Sequence, residues 1–581
     1  MSAMELTAPS GAGSLTGRGR TIATLVVLLA FFMDILDSTI VNVAIPSIRE
    51  SLGASYSAIQ WIIAGYSLAF ALFLITGGRL GDIIGYKKMF LIGMAGFTVA
   101  SALSGLATST EMLIGARLLQ GLMAALMVPQ ILSIIQIMYT TTEERQGISA
   151  FYGAIAGVAT VLGPIIGALL ITGDVWGLGW RTIFLVNLPV GVVAMALAWI
   201  YLPDAKSPHP LRVDLVGVVI VLIAMLMLMF PLIQGRELDW PAWVVASMVV
   251  SIPVFVLFAF SQLWKDRRDG SPIVVPALFT RRSFVAGIIL SLSFFSIVFG
   301  FFFIFTIYLQ IGLGYSILKA GLTGIPFSLG VALSAGLSGP VLVPRFGRKI
   351  ISAGPIIMGL GYGLFLLTVR RYGAEVTPWE FIPSLAIAGL GMGCVVAPIY
   401  PFILAEVPIK DAGSASGVVN TVQQIGGAVG VAVVGVIFFG LLGSQAAPSV
   451  ESVRAELAAD LSAAGLPAAY QENILMSFER CFIDRSNAKD LAAVPESCRA
   501  AEAEQTSFAA QQPTLAGKLG DVLQTRGLEA NEHNFTAAME RTLLWQMAAL
   551  VVIFFLSFAL PAKPRSREEM ERLAAEGVVG I

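Results

Sequence analysis

The chain has 581 residues, of which 56% are hydrophobic and only 13% are charged, and its formal net charge is −1. Soluble globular proteins carry about 25% charged residues, so this composition excludes a soluble protein and indicates an all-α membrane protein with many spans. A chain with almost no net charge and no concentrated basic face is also not expected to bind nucleic acid.

Apolar runs long enough to cross about 30 Å of hydrocarbon predict fourteen spans in the lipid bilayer. The runs cover residues 21–45, 58–78, 89–107, 111–138, 148–172, 182–202, 213–231, 240–263, 284–309, 316–340, 350–369, 380–404, 411–442 and 541–561. The first span is too long and too acidic for a cleaved signal sequence, so we expect it to be retained. Most Lys and Arg residues fall on one side, which predicts a protein of the cell inner membrane with both tails, 1–20 and 562–581, in the cytoplasm.

The first predicted span contains two carboxylates, Asp34 and Asp37. A charged side chain at membrane depth costs about 2.5–3.5 kcal/mol on insertion scales, so such residues usually face a cavity and have a function. Residues three apart share one helix face, and two like charges that close resist joint ionisation, so we expect one carboxylate to hold a proton near neutral pH. The alternative is structural, with each aspartate capping backbone groups or pairing with an arginine.

Arg117 lies well inside the fourth predicted span and is the candidate partner of Asp34 and Asp37. In one interpretation it forms a static contact between helices. In the other it favours the ionised aspartate in one conformation and releases it in another, so that proton affinity depends on conformation.

The fifth span carries two small residues four apart, Gly163 and Gly167, with Pro164 between them. Small residues at this spacing allow close helix approach, and a proline inside a helix kinks it. The pattern is typical of simple packing and equally of a helix that flexes or seals a pathway.

Two basic turns that begin with glycine occupy equivalent positions, between spans two and three and between spans ten and eleven. Their candidate residues are Gly78, Asp82, Gly85, Lys87 and Lys88 in the first turn, and Arg345, Gly347 and Arg348 in the second. Paired halves around a central cavity are typical of secondary transporters, so we predict an N-terminal half (21–202), an inserted two-helix linker (203–283) and a C-terminal half (284–561). Asp82 either caps a helix or pairs with a base at the cytoplasmic face, and we favour a conformational latch.

Further polar residues inside the spans are candidates for the lining of a substrate cavity: Asn42, Gln60, Tyr66, Gln120, Gln130, Tyr308, Gln310, Asn420 and Gln423. Any one of them is more often a contact between helices. Together with the phenylalanines of the ninth span, they indicate an apolar cavity with a few polar points, although those phenylalanines can equally face lipid. Such a cavity suits amphiphilic molecules, and the buried carboxylates favour cations.

The segment 443–540 is polar and interrupts the C-terminal half, and we expect it outside the cytoplasm with helices over 450–464 and 467–482. Its two cysteines, Cys481 and Cys498, predict a disulfide if the segment faces an oxidising compartment.

The sequence lacks an ATP-binding Gly-x-x-x-x-Gly-Lys-Ser/Thr loop, and its two histidines lie in predicted loops. We therefore expect neither an enzyme nor a metal site, and an ion gradient as the energy source.

Together these segments resemble the fourteen-span drug:proton antiporters of the major facilitator superfamily. The resemblance lies in residues 36–46 (LDSTIVNVAIP), 78–88 (GRLGDIIGYKK), 117–121 (RLLQG), 163–167 (GPIIG) and 180–189 (WRTIFLVNLP). It implies two six-helix halves plus two inserted helices, proton coupling through the 117–121 motif, and a monomer that needs no cofactor beyond a proton gradient.

This sequence also departs from the family pattern. Ile83 and Tyr86 stand where the family usually has basic residues, Asp34 is additional, and 443–540 is longer than most members need.

The resemblance implies multidrug efflux of lipophilic or cationic small molecules by alternating access. The alternatives are an exporter of an endogenous lipid, siderophore or antibiotic, and a non-transporting sensor that binds a partner through 443–540.

Overall fold

The computed structural model describes residues 17–139, 148, 155, 158–159, 162–207, 212–407, 412–488 and 494–563. These residues are overwhelmingly helical and contain no β-strand. Thirteen helices among them are long and apolar enough to cross a membrane. Ten residues of the fifth predicted span, 148–172, lie outside the described residues, and its longest described stretch is an apolar helix over Leu162–Thr172.

The helices are numbered here in chain order, so that α1 to α13 follow the first thirteen predicted spans and α16 the last. They are α1 (Arg18–Leu52), α2 (Tyr56–Ile84), α3 (Tyr86–Gly105), α4 (Thr110–Met138), α5 (Leu162–Thr172), α6 (Gly179–Tyr201), α7 (Leu215–Gln234), α8 (Ala242–Asp269), α9 (Arg282–Gly312), α10 (Ile317–Leu337), α11 (Lys349–Tyr372), α12 (Pro378–Glu406), α13 (Ala412–Ala463), α14 (Ala468–Asn487), α15 (Glu496–Gln511) and α16 (Pro513–Ser557). Serine caps begin α2 and α4, where the Ser55 and Ser109 hydroxyls accept hydrogen bonds from backbone N–H groups three residues on.

The same close helix crossing occurs in both halves of the chain. Between α2 and α4, a Cβ built on Gly121 would lie 2.2 Å from the carbonyl oxygen of Tyr66. Between α10 and α12, a Cβ on Gly389 would lie 2.0 Å from the carbonyl oxygen of Phe327. Glycine is therefore required at both crossings, because any side chain would push the backbones apart.

The two halves meet along α2 and α13, which run antiparallel. Near one end of the pair the Tyr56 and Phe439 rings are in contact, with centroids 3.7 Å apart and planes tilted by 30°. One turn deeper the Gln60 side chain donates to the Val431 carbonyl at 3.4 Å. Because α13 continues to Ala463, about 36 Å beyond Phe439, the start of α2 marks the face of the bundle from which residues 443–540 project.

Phenylalanines fill the interior of the C-terminal half. Phe301 of α9 stacks on Tyr362 of α11 at 4.6 Å, and Phe365 stacks on Phe381 of α12 at the same distance. Phe294, Phe301 and Phe303 have no exposed surface. The expectation that the α9 phenylalanines line a cavity or face lipid is therefore wrong for these three, which pack inside the half.

The described part of 443–540, residues 443–488 and 494–540, forms a helical extension, built from the end of α13, the start of α16, and α14 and α15 between them. It has its own apolar core, made of Leu457, Leu461, Leu466, Leu475, Phe508 and Leu519. Cys481 of α14 and Cys498 of α15 form a disulfide. Arg526 of α16 pairs with Asp460 of α13 at 2.7 Å, so the extension is continuous with two membrane helices and linked across them.

Replacing Gly121 by alanine is expected to lower the melting temperature of the purified protein in detergent, because the added methyl group meets the Tyr66 carbonyl oxygen. Overpacking of this kind costs about 1–3 kcal/mol. Gly115→Ala is the matched control, since nothing lies within 4 Å of a Cβ on this glycine of the same helix. Equal melting temperatures for the two variants would contradict the close crossing.

The disulfide predicts that Cys481 and Cys498 resist alkylation until a reductant is supplied. In a Cys394→Ser background, intact cells are treated with a membrane-impermeant reductant, washed, denatured and labelled with a maleimide polymer. We expect no gel shift without the reductant and a double shift with it. A shift without reductant would contradict the disulfide, and no shift after reduction would contradict an external location of 443–540.

Candidate functional site

Polar side chains from five helices meet inside the N-terminal half, and we call this group the polar cluster. Its members are Asp34 and Asp37 of α1, Tyr66 of α2, Ser101 of α3, Arg117 and Gln120 of α4, and Asn187 of α6. None is more than 7% exposed. The three-residue spacing within α1 and within α4 places both members of each pair on one helix face, so the two polar faces oppose each other.

Asp37 is fully enclosed and receives hydrogen bonds on both carboxylate oxygens. Arg117 donates from Nη1 to Oδ2 at 2.5 Å. The side-chain amides of Gln120 and Asn187 both donate to Oδ1 at 2.8 Å. Arg117 and Asp37 therefore form a buried ion pair whose anion is held by two further donors.

Arg117 makes additional contacts that fix its guanidinium between α2 and α4. Its Nε donates to the Ile62 carbonyl at 3.2 Å, and its Nη1 also donates to Oε1 of Gln120 at 2.7 Å. The guanidinium lies 4.3 Å from the centroid of the Tyr66 ring, a favourable cation–π distance.

Asp34 has a different environment from Asp37, one helical turn away. The Tyr66 hydroxyl donates to its Oδ1 at 2.5 Å, and this is its one hydrogen bond among the described residues. Asp34 keeps 7% of its surface accessible, whereas Asp37 has none. The sequence predicted that both aspartates and Arg117 belong together, and the structure brings them into one cluster.

Ser101 of the polar cluster was not a candidate from the sequence, and Asn187 was noted there only as one of the polar residues inside the spans. Ser101 receives hydrogen bonds from Gln120 at 3.2 Å and from Asn187 at 2.9 Å. A serine in an apolar span carries no signal by itself, because it can bond to its own helix. Asn187 lies in the 180–189 motif, but only the packing of α6 against α1 and α3 shows that it reaches Asp37.

The other cavity candidates mostly bond to neighbouring helices. Gln130 donates to the Gly77 carbonyl at 2.9 Å, and Gln310 of α9 donates to the Val43 carbonyl of α1 at 3.2 Å. Together with Gln60, these amides join helices through backbone carbonyls. Of the two interpretations open for them, the structure favours helix contact over cavity lining.

The remaining candidates are divided between core and half-buried positions. Tyr308 is fully buried, and its hydroxyl lies 3.4 Å from that of Thr536. Asn420 and Gln423 are half-buried on α13 and share the Tyr400 hydroxyl as donor, at 2.5 and 3.2 Å. Asn42 is half-buried on α1 and has no hydrogen bond to another described side chain.

The turn between α2 and α3 is held by its own half. Gly85 has a φ of +114°, which favours glycine, and the next backbone N–H, from Tyr86, donates to the Ala205 carbonyl at 2.9 Å. Asp82 accepts from the Tyr86 hydroxyl at 2.9 Å. Among the residues that the structure describes, Asp82 is therefore bonded within its own turn and not to a base across the face, in keeping with the tyrosine that stands in place of a basic residue.

Other residues of this turn have separate contacts. Gly78 faces Pro129, and a Cβ built on this glycine would lie 3.6 Å from the proline side chain. Lys87 is half-buried and Lys88 exposed. Arg79, outside our candidate set, donates to the backbone carbonyls of Arg212 at 3.0 Å and Ser271 at 2.8 Å, which attaches both ends of the inserted helices α7 and α8 to α2.

The turn between α10 and α11 repeats this arrangement. The Arg348 backbone N–H donates to the Ala562 carbonyl at 3.0 Å, as Tyr86 does to Ala205 in the first half. The Arg348 guanidinium also donates to the Leu560 carbonyl at 2.6 Å. Gly347 has a φ of +56° and Arg345 is exposed. Each turn thus joins its half's second, third and sixth helices.

The predicted antiporter helix α5 packs between the two halves. A Cβ on Gly163 would lie 2.0 Å from Oγ1 of Thr39, and one on Gly167 would lie 2.7 Å from the Ile40 side chain of α1. On its other side, the Pro164 carbonyl is 3.1 Å from a Cβ built on Gly321 of α10. Both glycines are therefore needed for contact with α1.

Known proteins resemble this chain along most of its length. The "Probable actinorhodin transporter" of Streptomyces coelicolor is 42% identical over 549 residues, covering 94% of this chain and 93% of that protein. The "Multidrug resistance protein Stp" of Mycobacterium tuberculosis is 32% identical and covers 75% of this chain and 79% of its own length. The "Tetracenomycin C resistance and export protein" of Streptomyces glaucescens is 34% identical, covering 73% and 77%.

Solved structures give the same fold. A bacterial homolog of the human lysosomal transporter Spinster, in an inward-facing and unoccupied conformation, matches with a TM-score of 0.58 at 15% identity, over 95% of this chain and all of that one. The family model described as "Major Facilitator Superfamily" matches residues 27–431. This range includes the polar cluster, α5 and both basic turns. The chain belongs to the Major Facilitator Superfamily.

Proposed function

We propose that the protein is a proton-coupled exporter of lipophilic or cationic small molecules that works by alternating access. The observation that carries the proposal is the buried pair of Asp37 and Arg117, with Asp34 beside it. An ion pair inside a membrane protein is costly to maintain and is a functional site by default. Because the pair joins α1 to α4, a proton that binds at this site changes the force that holds these two helices together.

The free energy needed to break the ion pair is similar to the free energy that one proton supplies when it crosses the membrane. Breaking a buried ion pair so that one charge is left uncompensated costs about 3–5 kcal/mol. One proton crossing a pH difference of one unit supplies about 1.4 kcal/mol, and a membrane potential of 100 mV adds about 2.3 kcal/mol per charge. Proton uptake from outside can therefore shift the balance between two conformations, and proton release inside can reset it.

The relatives support a substrate that is a small-molecule antibiotic or drug. Their names refer to actinorhodin, tetracenomycin C and multidrug resistance. The actinorhodin relative covers 94% of this chain, and therefore most of the helical extension as well. We propose that the protein acts as a monomer in the cytoplasmic membrane, with both termini inside and the extension outside.

Asp37→Asn is expected to abolish transport driven by a proton gradient, because it removes the anion that compensates Arg117. The measurement is ethidium uptake into proteoliposomes with an acidic lumen, where proton efflux drives dye accumulation. The isosteric change Asp266→Asn on the exposed end of α8 is the matched control and should transport at the wild-type rate.

Folding of the Asp37→Asn protein is checked by its elution as a monodisperse peak and by ethidium exchange without a gradient. Retained exchange with lost accumulation is the expected pattern. Accumulation at the wild-type rate in the Asp37→Asn protein would rule out a role of the Asp37–Arg117 ion pair in proton coupling.

Substrate charge is tested by comparing dyes of opposite sign under the same gradient. The carboxylates of the polar cluster favour cations, so ethidium is expected to accumulate faster than fluorescein. Preference for fluorescein would argue against a carboxylate–cation contact. Transport of a fluorescent phospholipid in preference to both dyes would favour the alternative of a lipid exporter.

A further inference from the structure

We propose that Asp34, and not Asp37, carries the exchangeable proton, while Asp37 stays ionised against Arg117. The proposal rests on the proton-coupled function above and assigns different roles to two carboxylates one helical turn apart. It follows from their hydrogen bonds, their accessibility and the charge balance of the polar cluster.

The hydrogen bonds fix Asp37 as a carboxylate. Arginine has five donors and no acceptor, so the atom of Gln120 that faces Arg117 is its oxygen, and its amide nitrogen then points to Asp37. Asn187 also presents its amide nitrogen to Asp37. Three donors surround this carboxyl group, and a carboxylic acid proton placed on it would have no acceptor among them.

Asp34 has the opposite environment. It accepts one hydrogen bond, from Tyr66 to Oδ1, so its second oxygen is available for a proton. Asp34 keeps 7% of its surface accessible, whereas Asp37 has no accessible surface, so Asp34 is the less enclosed of the two carboxylates. A group that exchanges a proton with solvent needs both features.

The charge balance leads to the same assignment. The charged or titratable groups that face Asp34 are Tyr66, Asp37 and Arg117. Arg117 and Asp37 neutralise each other in a direct contact. An ionised Asp34 would leave one uncompensated negative charge in a buried site, which is unfavourable unless a cation or a proton binds there. A substrate cation and a proton can therefore compete for Asp34.

Tyr66 connects this titration to the ion pair. Its hydroxyl is bonded to Asp34, and its ring lies 4.3 Å from the Arg117 guanidinium. When the proton leaves Asp34 for water, the new carboxylate competes with Asp37 for Arg117. That competition pulls on α4, which carries Arg117, relative to α1.

The test is an infrared titration of the purified full-length protein, following the C=O band of protonated carboxylic acids as the pH is raised. In the Asp34→Asn variant, a band present in the wild type should be lost. In the double variant Asp37→Asn/Arg117→Gln, which removes the ion pair without changing net charge, the band should remain. The single Asp37→Asn variant is unsuitable, because a freed Arg117 would pair with Asp34.

A second readout uses ethidium as the probe. Adding ethidium to the wild-type protein in weakly buffered detergent should release protons. The Asp34→Asn protein should bind the dye without proton release, and the Asp34→Glu protein should release protons again. Loss of the infrared band in the double variant, or its persistence in Asp34→Asn, would overturn the assignment. If the double variant does not fold, the dye experiment decides the assignment by itself. Proton release from the Asp34→Asn protein at the wild-type level would then overturn the assignment of the proton to Asp34. If wild-type proteoliposomes show no gradient-driven transport, the proposed function fails instead.

Discussion

The buried contact between Asp37 and Arg117 is the interaction on which the N-terminal half depends. Removing two charges from water costs more than their attraction returns unless further hydrogen bonds satisfy them. Here α4 and α6 supply amides to the anion, and α2 supplies a carbonyl and an aromatic ring to the cation. Because its desolvation cost offsets most of its attraction, the Asp37–Arg117 ion pair contributes little to the stability of the fold. Its presence is better explained by a conformational change in which the contact between the two residues is altered.

The contacts within each half differ in kind from those between the halves. Within a half, glycines such as Gly121 and Gly389 bring backbones into direct contact, and such interfaces cannot slide without a clash. Between the halves, Gly321 of α10 approaches the Pro164 carbonyl of α5 closely. Other contacts between the halves are made by long side chains such as Gln60 and Gln310, which reach single backbone carbonyls, and these bonds can be exchanged for water. This difference favours rocking of two rigid halves around the site, which is the motion that alternating access requires.

Hydropathy predicted the membrane helices well, because a helix in lipid must be apolar for its whole length. It also located Asp37 and Arg117, since a buried charge in a membrane needs a partner. The sequence could not distinguish a cavity-lining amide from one that joins helices, because this depends on the rotation of each helix. Gln130 and Asp82 illustrate the limit: both lie at the predicted depth, but their partners, Gly77 and Tyr86, follow only from the packing.

The two halves share one packing scheme and differ in what fills it. The N-terminal half encloses titratable groups, whereas the corresponding space between α9, α11 and α12 holds stacked rings such as Phe301 and Tyr362. Stacked rings do not change charge, so the C-terminal half has no reason to rearrange internally when a proton binds. Because α13 and α16 continue without interruption into the helical extension, the C-terminal half and its extension should move as one body. The N-terminal half, which binds the proton, should then move relative to that body.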